Sequence, residues 1–413
     1  MAVALLFTHS LCIANDNLWD VLKQEGQALD IMSINSVADQ LMLIGAKYVE
    51  LPWLAQEQSE VSPVLPPLVR KQLFMMGIAP DEQVLWQQTY PVLPDVHEIY
   101  STAATNNRHV CILYGEQSSD DEAILDPVLL QLDRHGKILW AKRNLIKASN
   151  GGNQPSGLLE QIANLDTLRV TTSPDNGCVL TYVTRSIEGP EEKFRLHIIQ
   201  HSVEGNVQWR QALDTELYGK LFLVRNEQAR QYVVVQTNQS RDAAVRAMML
   251  AVPFVPKTAL IGLDYQGKVS FQRIDPPALS RLWVKTVLDA NGEFILLGGK
   301  TKAAWAGLVD QDGEIKIYTD KLDDEFTASA EKSGRFLLAR GDHVTLTTGN
   351  LVIVSDQSTQ DVTIRQYLNQ YLMARLPDDL PVQQIIPVGN NEFLLLYTLG
   401  SKLLKVRLDK SKQ

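Results

Sequence analysis

The amino-acid sequence predicts an all-β protein, a seven-bladed β-propeller of four-stranded antiparallel blades. A short apolar strand bounded by turn residues recurs seven times along the 413 residues. A two-stranded hairpin that ends on an aromatic residue recurs beside it, and repeated units of this kind are typical of propeller blades. The last unit has three strands, and residues 18–22 match the missing fourth. We therefore expect the ring to be closed by the N-terminal strand joining the C-terminal blade.

The recurring apolar strand is the second strand of each predicted blade. It holds four or five apolar residues, often with a Gly, and such runs between turn residues predict buried strands. The seven copies are residues 40–45, 109–115, 177–182, 231–235, 292–298, 334–339 and 391–397. Counting them predicts seven blades within one domain, residues 15–413.

The hairpin is clearest at residues 128–140, where Asp133 and Gly136 form the turn and Trp140 ends the second strand. Asp accepts hydrogen bonds from backbone N–H groups further along the turn, and Gly supplies the positive φ of a type I turn with a bulge. Related copies lie at residues 198–209, 260–271 and 306–317, with Ser202 in place of Asp in the first. We expect the aromatic residues to pack between blades rather than to stack on a carbohydrate.

The Leu-Asp-x-x-Gly-x-x-x-Trp motif of residues 132–140 resembles the repeats of bacterial propellers of the PQQ-like group and of related secreted repeat proteins. The resemblance implies a propeller fold and leaves the activity open. The group's quinone-dependent dehydrogenases and its outer-membrane assembly lipoprotein have eight blades, whereas seven units are present here. The sequence also lacks adjacent cysteines and a recognisable cofactor-binding set, so we expect no cofactor.

Composition limits the classes of partner. A hydrophobic content of 45% predicts a sizeable core, and the net charge of −9 disfavours nucleic acid or an anionic membrane as the main partner. No apolar run approaches the roughly 18 residues of a membrane span.

The N-terminal residues 1–14 predict a signal peptide, because an apolar stretch ends in small residues before a polar segment. The usual positively charged start is missing, and the alternative is an apolar tail. Leu11 before Cys12 disfavours a lipid anchor. We expect a periplasmic or secreted bacterial protein.

Two cysteines remain after the predicted cleavage, Cys111 and Cys178, at equivalent positions on the second strands of blades two and three. Facing sheets pack about 10 Å apart, whereas a disulfide needs Cα atoms within about 7 Å. We therefore expect two buried free thiols.

No metal site is expected. His197 and His201 are four residues apart, which on a strand places them about 13 Å from each other. Residues 310–314 contain three carboxylates and resemble part of a calcium loop, but turn formation accounts for them.

The long insertions point to a binding surface. They occur between second and third strands and between blades, two kinds of connection that emerge on the same edge of a propeller, here named the loop-rich rim. Apolar residues on two of them are the candidate binding residues, namely Trp53, Leu54, Met248, Met249 and Phe254. These residues favour a non-enzymatic binding or scaffold module for a protein or an envelope polymer. One alternative is that the loops pack back on the rim. Another is an enzyme (a hydrolase, lyase or quinone-dependent oxidoreductase) with a site at the channel mouth, which two or more carboxylates converging there, or a His with carboxylates, would favour.

Overall fold

The structure is a computed structural model in which the following residues are described: 17–25, 28–37, 39–50, 69–91, 93, 96–104, 109–117, 125–143, 145, 161–188, 191–226, 229–238, 255–280, 282–290, 293–300, 303–319, 336–340, 343–347, 352–354, 359–361, 382–389, 392–397 and 403–407.

The described strands form seven sheets that follow one another along the chain. The first sheet contains β1 (Leu29–Val37), β2 (Gln40–Glu50), β3 (Val69–Ile78) and β4 (Val84–Thr89). The second contains β5 (Val96–Ala104), β6 (His109–Gln117), β7 (Leu125–Asp133) and β8 (Ile138–Lys142). The third contains β9 (Gln161–Ile162), β10 (Arg169–Thr172), β11 (Cys178–Glu188), β12 (Glu191–His201) and β13 (Val207–Thr215).

The remaining sheets come from the second half of the chain. The fourth contains β14 (Leu221–Asn226), β15 (Gln231–Thr237), β16 (Thr258–Asp264) and β17 (Val269–Ile274). The fifth contains β18 (Trp283–Ala290), β19 (Glu293–Lys300), β20 (Ala303–Val309) and β21 (Ile315–Thr319). The sixth contains β22 (Phe336–Arg340), β23 (His343–Thr347), β24 (Val352–Val354) and β25 (Thr359–Asp361). The seventh contains β26 (Val382–Gly389), β27 (Glu392–Tyr397) and β28 (Leu403–Arg407).

All seven predicted apolar strands are strands in the structure, and the sheets have the arrangement of propeller blades. The first, second, fourth and fifth sheets are four-stranded antiparallel meanders, and the third adds the short β9 to the same plan. Their first strands lie against one another, with β5 between β1 and β10, and β14 between β10 and β18. Buried apolar clusters fill the spaces between these sheets, so the core lies between blades. The predicted all-β fold of four-stranded antiparallel sheets is confirmed.

Two sheets depart from the predicted plan. In the sixth, β23 turns back beside β22 and takes the edge next to β26, so β24 pairs with the other edge of β22 and runs parallel to it. The seventh sheet has three strands within the described residues.

The predicted N-terminal strand over residues 18–22 is wrong, because these residues belong to helix α1 (Leu18–Glu25). The Asn17 side chain accepts a hydrogen bond from the Trp19 N–H at 3.0 Å, which caps the helix. Leu18 and Val21, spaced for one helical face, are buried in a cluster with strands of the first sheet and with Leu394 of β27. The helix therefore packs where the first and seventh sheets meet.

Trp19 nevertheless contacts a hairpin turn, as the aromatic residues of the repeat do. Its Nε1 donates to Glu82 Oε2 at 2.7 Å, and Glu82, at φ 71°, stands in the first hairpin where later hairpins have Gly. Trp19 and Trp140 thus both donate to a hairpin turn, Trp140 to the Val203 carbonyl at 2.9 Å and Trp19, from a helix, to a side-chain carboxylate.

The predicted turn chemistry is confirmed. Asp133 Oδ1 accepts hydrogen bonds from the N–H groups of His135 and Lys137 at 2.8 and 2.9 Å, and Asp264 and Asp310 repeat the pattern. Ser202 Oγ accepts two longer bonds at the equivalent place. The Gly of each turn has a φ between 78° and 81°.

The aromatic residues pack between blades as predicted, each one covering the turn Gly of the next sheet. A Cβ added to Gly267 would lie 2.6 Å from Trp209, and Gly205 and Gly136 are covered in the same way by Trp140 and Trp86. In addition, Trp209 Nε1 donates to the Tyr265 carbonyl of the next turn at 3.0 Å. These contacts account for the aromatic set without a ligand.

Phe271 occupies the same place between the fourth and fifth sheets but has no N–H to donate. There Gln231 supplies the missing donor, since its Nε2 donates to the Gln311 carbonyl at 2.9 Å. Gln40 makes the equivalent bond to Arg134 between the first and second sheets. A donor from one sheet thus reaches the turn of the next at both junctions.

The expectation of free thiols is wrong: Cys111 and Cys178 form a disulfide, with Cα atoms 5.9 Å apart. The average spacing of packed sheets does not apply here, because β10 lies against both β5 and β6 and the two sheets converge. The Gly177 carbonyl, one residue before Cys178, lies 3.6 Å from Cys111 Sγ. The disulfide therefore joins the second and third sheets within the core.

Candidate functional site

The five binding residues predicted from the sequence lie outside the described residues. They are Trp53, Leu54, Met248, Met249 and Phe254. Both ends of the second loop are described, however, and they show where residues 239–254 leave and rejoin the fourth sheet.

Asn238 holds the two ends of that loop together. Its Nδ2 donates to the Val255 carbonyl at 3.0 Å, and its Oδ1 accepts from the Lys257 N–H at 2.8 Å. The Asn238 N–H in turn donates to the Lys257 carbonyl at 3.2 Å. Residues 239–254 therefore start and finish at one point of the loop-rich rim.

A cleft of about 380 Å³ opens beside this point, between the third and fourth sheets. It is lined from the third sheet and the link that follows by Leu196, Leu213, Asp214, Thr215, Glu216 and Leu217, and from the fourth by Gln236, Lys257, Thr258, Ala259, Ile261, Gln272, Ile274 and Asp275. Most of these residues lie where strands end or begin at the rim. The cleft therefore occupies the edge on which the sequence predicted a binding surface.

The cleft walls are mainly apolar and held in place from behind. The apolar part of the walls comes from the buried Leu217 and Ile261 and from Leu196 and Leu213 of the third sheet. Gln236 is fully buried: its Nε2 donates to the Leu217 carbonyl, and its Oε1 accepts from Thr215 Oγ1 at 3.0 Å. The amide thereby ties the link after β13 to β15. The same lining includes eight polar or charged residues, among them Asp214, Glu216, Lys257 and Asp275. A concavity of this kind, with its wall already ordered, is a candidate binding site.

Exposed residues at the mouth of the cleft give it an amphipathic edge. Ile274 has 70% of its surface exposed, more than any other large apolar residue within the described residues. Asp275 follows it at φ 46° and, like Glu216 and Lys257, is exposed. Asp214 is paired with Arg195 at 3.0 Å. Ile274 therefore adds an exposed apolar side chain to the mouth of the cleft.

His197 and His201 are buried side chains between the second and third sheets. His197 Nε2 lies 2.9 Å from Thr184 Oγ1, and its ring stacks on Tyr182 with centroids 4.8 Å apart. Burial, reinforced by nearby cations, lowers the pKa of each histidine to about 4, so both are neutral at pH 7. In the part of the chain that the structure describes, no group of three or more His, Cys, Asp or Glu side chains could hold a metal ion.

Comparisons with known proteins identify no family. The chain matches no family model and no curated protein. Similar solved structures include hydrazine synthase from Kuenenia stuttgartiensis, at 10% identity, covering 82% of this chain and 93% of that one with a TM-score of 0.43. A neuraminidase-like protein from A/bat/Guatemala/164/2009 is 10% identical, covering 92% and 88% with a TM-score of 0.37. Quinohemoprotein alcohol dehydrogenase from Comamonas testosteroni is 12% identical, covering 95% and 64% with a TM-score of 0.33. No activity is transferred from them.

The described helices can be compared with the length and hydropathy that a membrane span needs. None of them is both long enough and apolar enough to span a bilayer.

The cleft residues were missed in the sequence for an identifiable reason. The local sequence around Leu217, Gln236 and Ile261 is typical of ordinary core residues. They form a cleft wall only because two sheets lie side by side. One signal was available: Ile274 directly precedes Asp275-Pro276-Pro277, a turn sequence that ends a strand at the rim, where an apolar side chain is exposed.

Proposed function

We propose that this chain is an exported, seven-bladed β-propeller that binds a protein partner through apolar side chains seated in the cleft of the loop-rich rim. The observation that carries the proposal is the cleft itself, with its apolar walls and the exposed Ile274 at its mouth. The loop that bears Met248, Met249 and Phe254 starts and finishes beside it.

Closure of the seven sheets into one ring is part of the proposal. It is supported by β1 lying against both β26 and β27, and by the cluster in which Leu394 meets Leu18 and Val21. A helix in place of a fourth strand covers the junction of the first and seventh sheets, and covering a sheet edge with a helix prevents unwanted pairing.

Export is supported by the disulfide. Disulfides persist in oxidising compartments such as the periplasm and are rare in the cytosol. Cys111 and Cys178 are completely buried and joined. Together with the signal-like residues 1–14, this favours a periplasmic or secreted location.

The energetics of the cleft favour a partner with apolar side chains. Covering the exposed 70% of Ile274 would contribute about 1–2 kcal/mol, which corresponds to roughly a tenfold change in affinity. The fixed Gln236 amide means that little ordering of the wall is required on binding.

The test compares Ile274→Glu with Leu139→Glu in affinity capture from envelope extract. Leu139, 39% exposed, also lies on a fourth strand, but next to a tight turn at the opposite edge of the propeller. We expect Ile274→Glu to lose the partner at least tenfold and Leu139→Glu to retain it. Equal capture by both variants would contradict the cleft as the binding site.

A second variant tests the loop directly. Because Asn238 and Val255 are hydrogen-bonded, residues 239–254 can be replaced by a two-residue Gly turn without moving the strands. We expect this variant to keep its melting temperature and to bind the partner more weakly. Unchanged affinity would exclude Met248, Met249 and Phe254 from the interface, and capture of a polysaccharide would replace protein by envelope polymer as the ligand.

A further inference from the structure

Arg169 is the first residue of β10, the inner strand of the third sheet, and lies at the loop-rich rim. Its side chain is only 21% exposed. Nη1 donates to the Leu168 carbonyl at 2.7 Å, and Nη2 lies 4.0 Å from Asp166 Oδ1. A guanidinium group has five N–H donors, so within the described residues most of them have no acceptor.

A guanidinium group that is mostly buried and makes few hydrogen bonds lowers the stability of the folded state. Burial lowers the pKa of Arg169, while Asp166 and Glu98 act in the opposite direction. Asp166 is 61% exposed and too distant for a hydrogen bond. A largely desolvated cation needs acceptors at hydrogen-bonding distance, and an oxyanion arriving from the rim would supply them.

Thr181, on the strand beside Arg169, carries a second polar group without a partner within the described residues. It lies directly opposite Arg169 in the pairing of β10 with β11, and residues paired in this way have side chains on one face of the sheet. Thr181 is completely buried, and its hydroxyl has no hydrogen-bond partner within the described residues. Thr171, two residues further along β10, shares that face and is half-buried.

This face of the third sheet continues outward into the cleft. Val179 and Val183, which flank Thr181 at alternate positions of β11, pack in one cluster with Leu196 and Leu213, two residues of the cleft wall. Arg169 therefore stands at the inner end of a sheet face whose outer end is the apolar cleft.

We propose that Arg169, with Thr181 beside it, forms an oxyanion-binding site at the inner edge of the loop-rich rim, which takes a carboxylate or a phosphate group. The site goes beyond the proposed protein-binding function, because it needs neither the cleft nor the loop residues. The guanidinium fork binds two oxygens of the anion, and Thr181 donates to a third acceptor, either the anion or a water beneath it.

Calorimetric titration with three small probes tests this site. N-acetyl-leucine carries a carboxylate, N-acetyl-leucinamide is its neutral counterpart, and inorganic phosphate represents the other source of oxyanions. The proteins are the full chain, Arg169→Gln, and Arg195→Gln as a control on the opposite face of the same sheet, where Arg195 pairs with Asp214. We expect N-acetyl-leucine or phosphate to bind the native chain and the Arg195→Gln control with similar affinity. Binding of the same probe to Arg169→Gln should be weaker by about tenfold or more, and the amide should bind none of the three proteins tightly.

Thr181→Val keeps the test decisive if Arg169→Gln fails to fold. The substitution removes a buried hydroxyl that has no partner within the described residues, so we expect the melting temperature to stay or rise while anion affinity falls several-fold. A purely structural role would not separate these two readouts. The proposal is overturned if neither N-acetyl-leucine nor phosphate binds the native chain, or if the acid binds no better than the amide and phosphate does not bind. It is also overturned if anion binding is unchanged in both Arg169→Gln and Thr181→Val. Partner capture by the cleft would be unaffected by these outcomes.

Discussion

The disulfide between Cys111 and Cys178 makes a quantitative prediction about stability. It closes a loop of 67 residues and joins the second and third sheets. The chain-entropy relation for a cross-link across such a loop gives about 4 kcal/mol of stabilisation at 25 °C. We therefore expect the Cys111→Ala, Cys178→Ala double variant to lose about 4 kcal/mol of unfolding free energy, to which the cavity left by two buried sulfurs adds.

Urea unfolding with and without reductant measures this effect. Reductant should lower the midpoint of the native chain and leave that of the double variant unchanged, since Cys111 and Cys178 are both absent from it. The matched controls are the single variants Cys111→Ala and Cys178→Ala, which cannot form this disulfide and whose midpoints should likewise not change with reductant. The reasoning would be refuted if reductant did not change the urea midpoint of the native chain, although the unfolded chain exposes the disulfide to it. A double variant as stable as the native chain would refute it as well.

Three further predictions concern the blade junctions. Gly267→Ala should cost about 1–3 kcal/mol in urea unfolding, because φ is +81° and the new Cβ would meet Trp209; combining it with Trp209→Ala should give a less than additive loss. The buried His197 and His201 have folded-state pKa values of about 4, below the unfolded value of 6.5, so the unfolded chain binds more protons between these values. Stability should therefore fall as pH drops from 6.5 to 4, by about 3 kcal/mol per histidine, and replacing both by Gln should flatten that part of the pH profile. Trp19→Ala should lower the unfolding free energy by about 2–3 kcal/mol, because it removes apolar contacts and the hydrogen bond to Glu82. Trp19→Phe should retain most of the apolar contacts and so lose less; equal losses in the two variants, measured by thermal unfolding, would contradict the role of the ring.

Local chemistry explains which parts of the fold were predictable. The Asp133 turn and its copies depend on residues two and four positions apart, so the pattern of Asp and Gly was sufficient. The apolar second strands were equally visible, because a buried strand between turn residues has few alternatives.

The errors arose where two distant segments meet. Residues 18–22 are too short for their apolar pattern to separate strand from helix, and the cap from Asn17 with the packing of Leu18 and Val21 decides for a helix. Cys111 and Cys178 approach because their sheets converge, which an average sheet spacing does not capture. The cleft depends on Leu217 and Ile261, which come from different sheets, and no local pattern marks such a pair.

Site-specific photo-crosslinking in the envelope tests the central claim most directly. A photoreactive residue placed at Ile274 reports on the mouth of the cleft, and one at Leu139 reports on the opposite edge. We predict a discrete crosslinked protein from position 274 and none from position 139. Crosslinking to the same protein from both positions, or from position 139 alone, would contradict binding through the loop-rich rim.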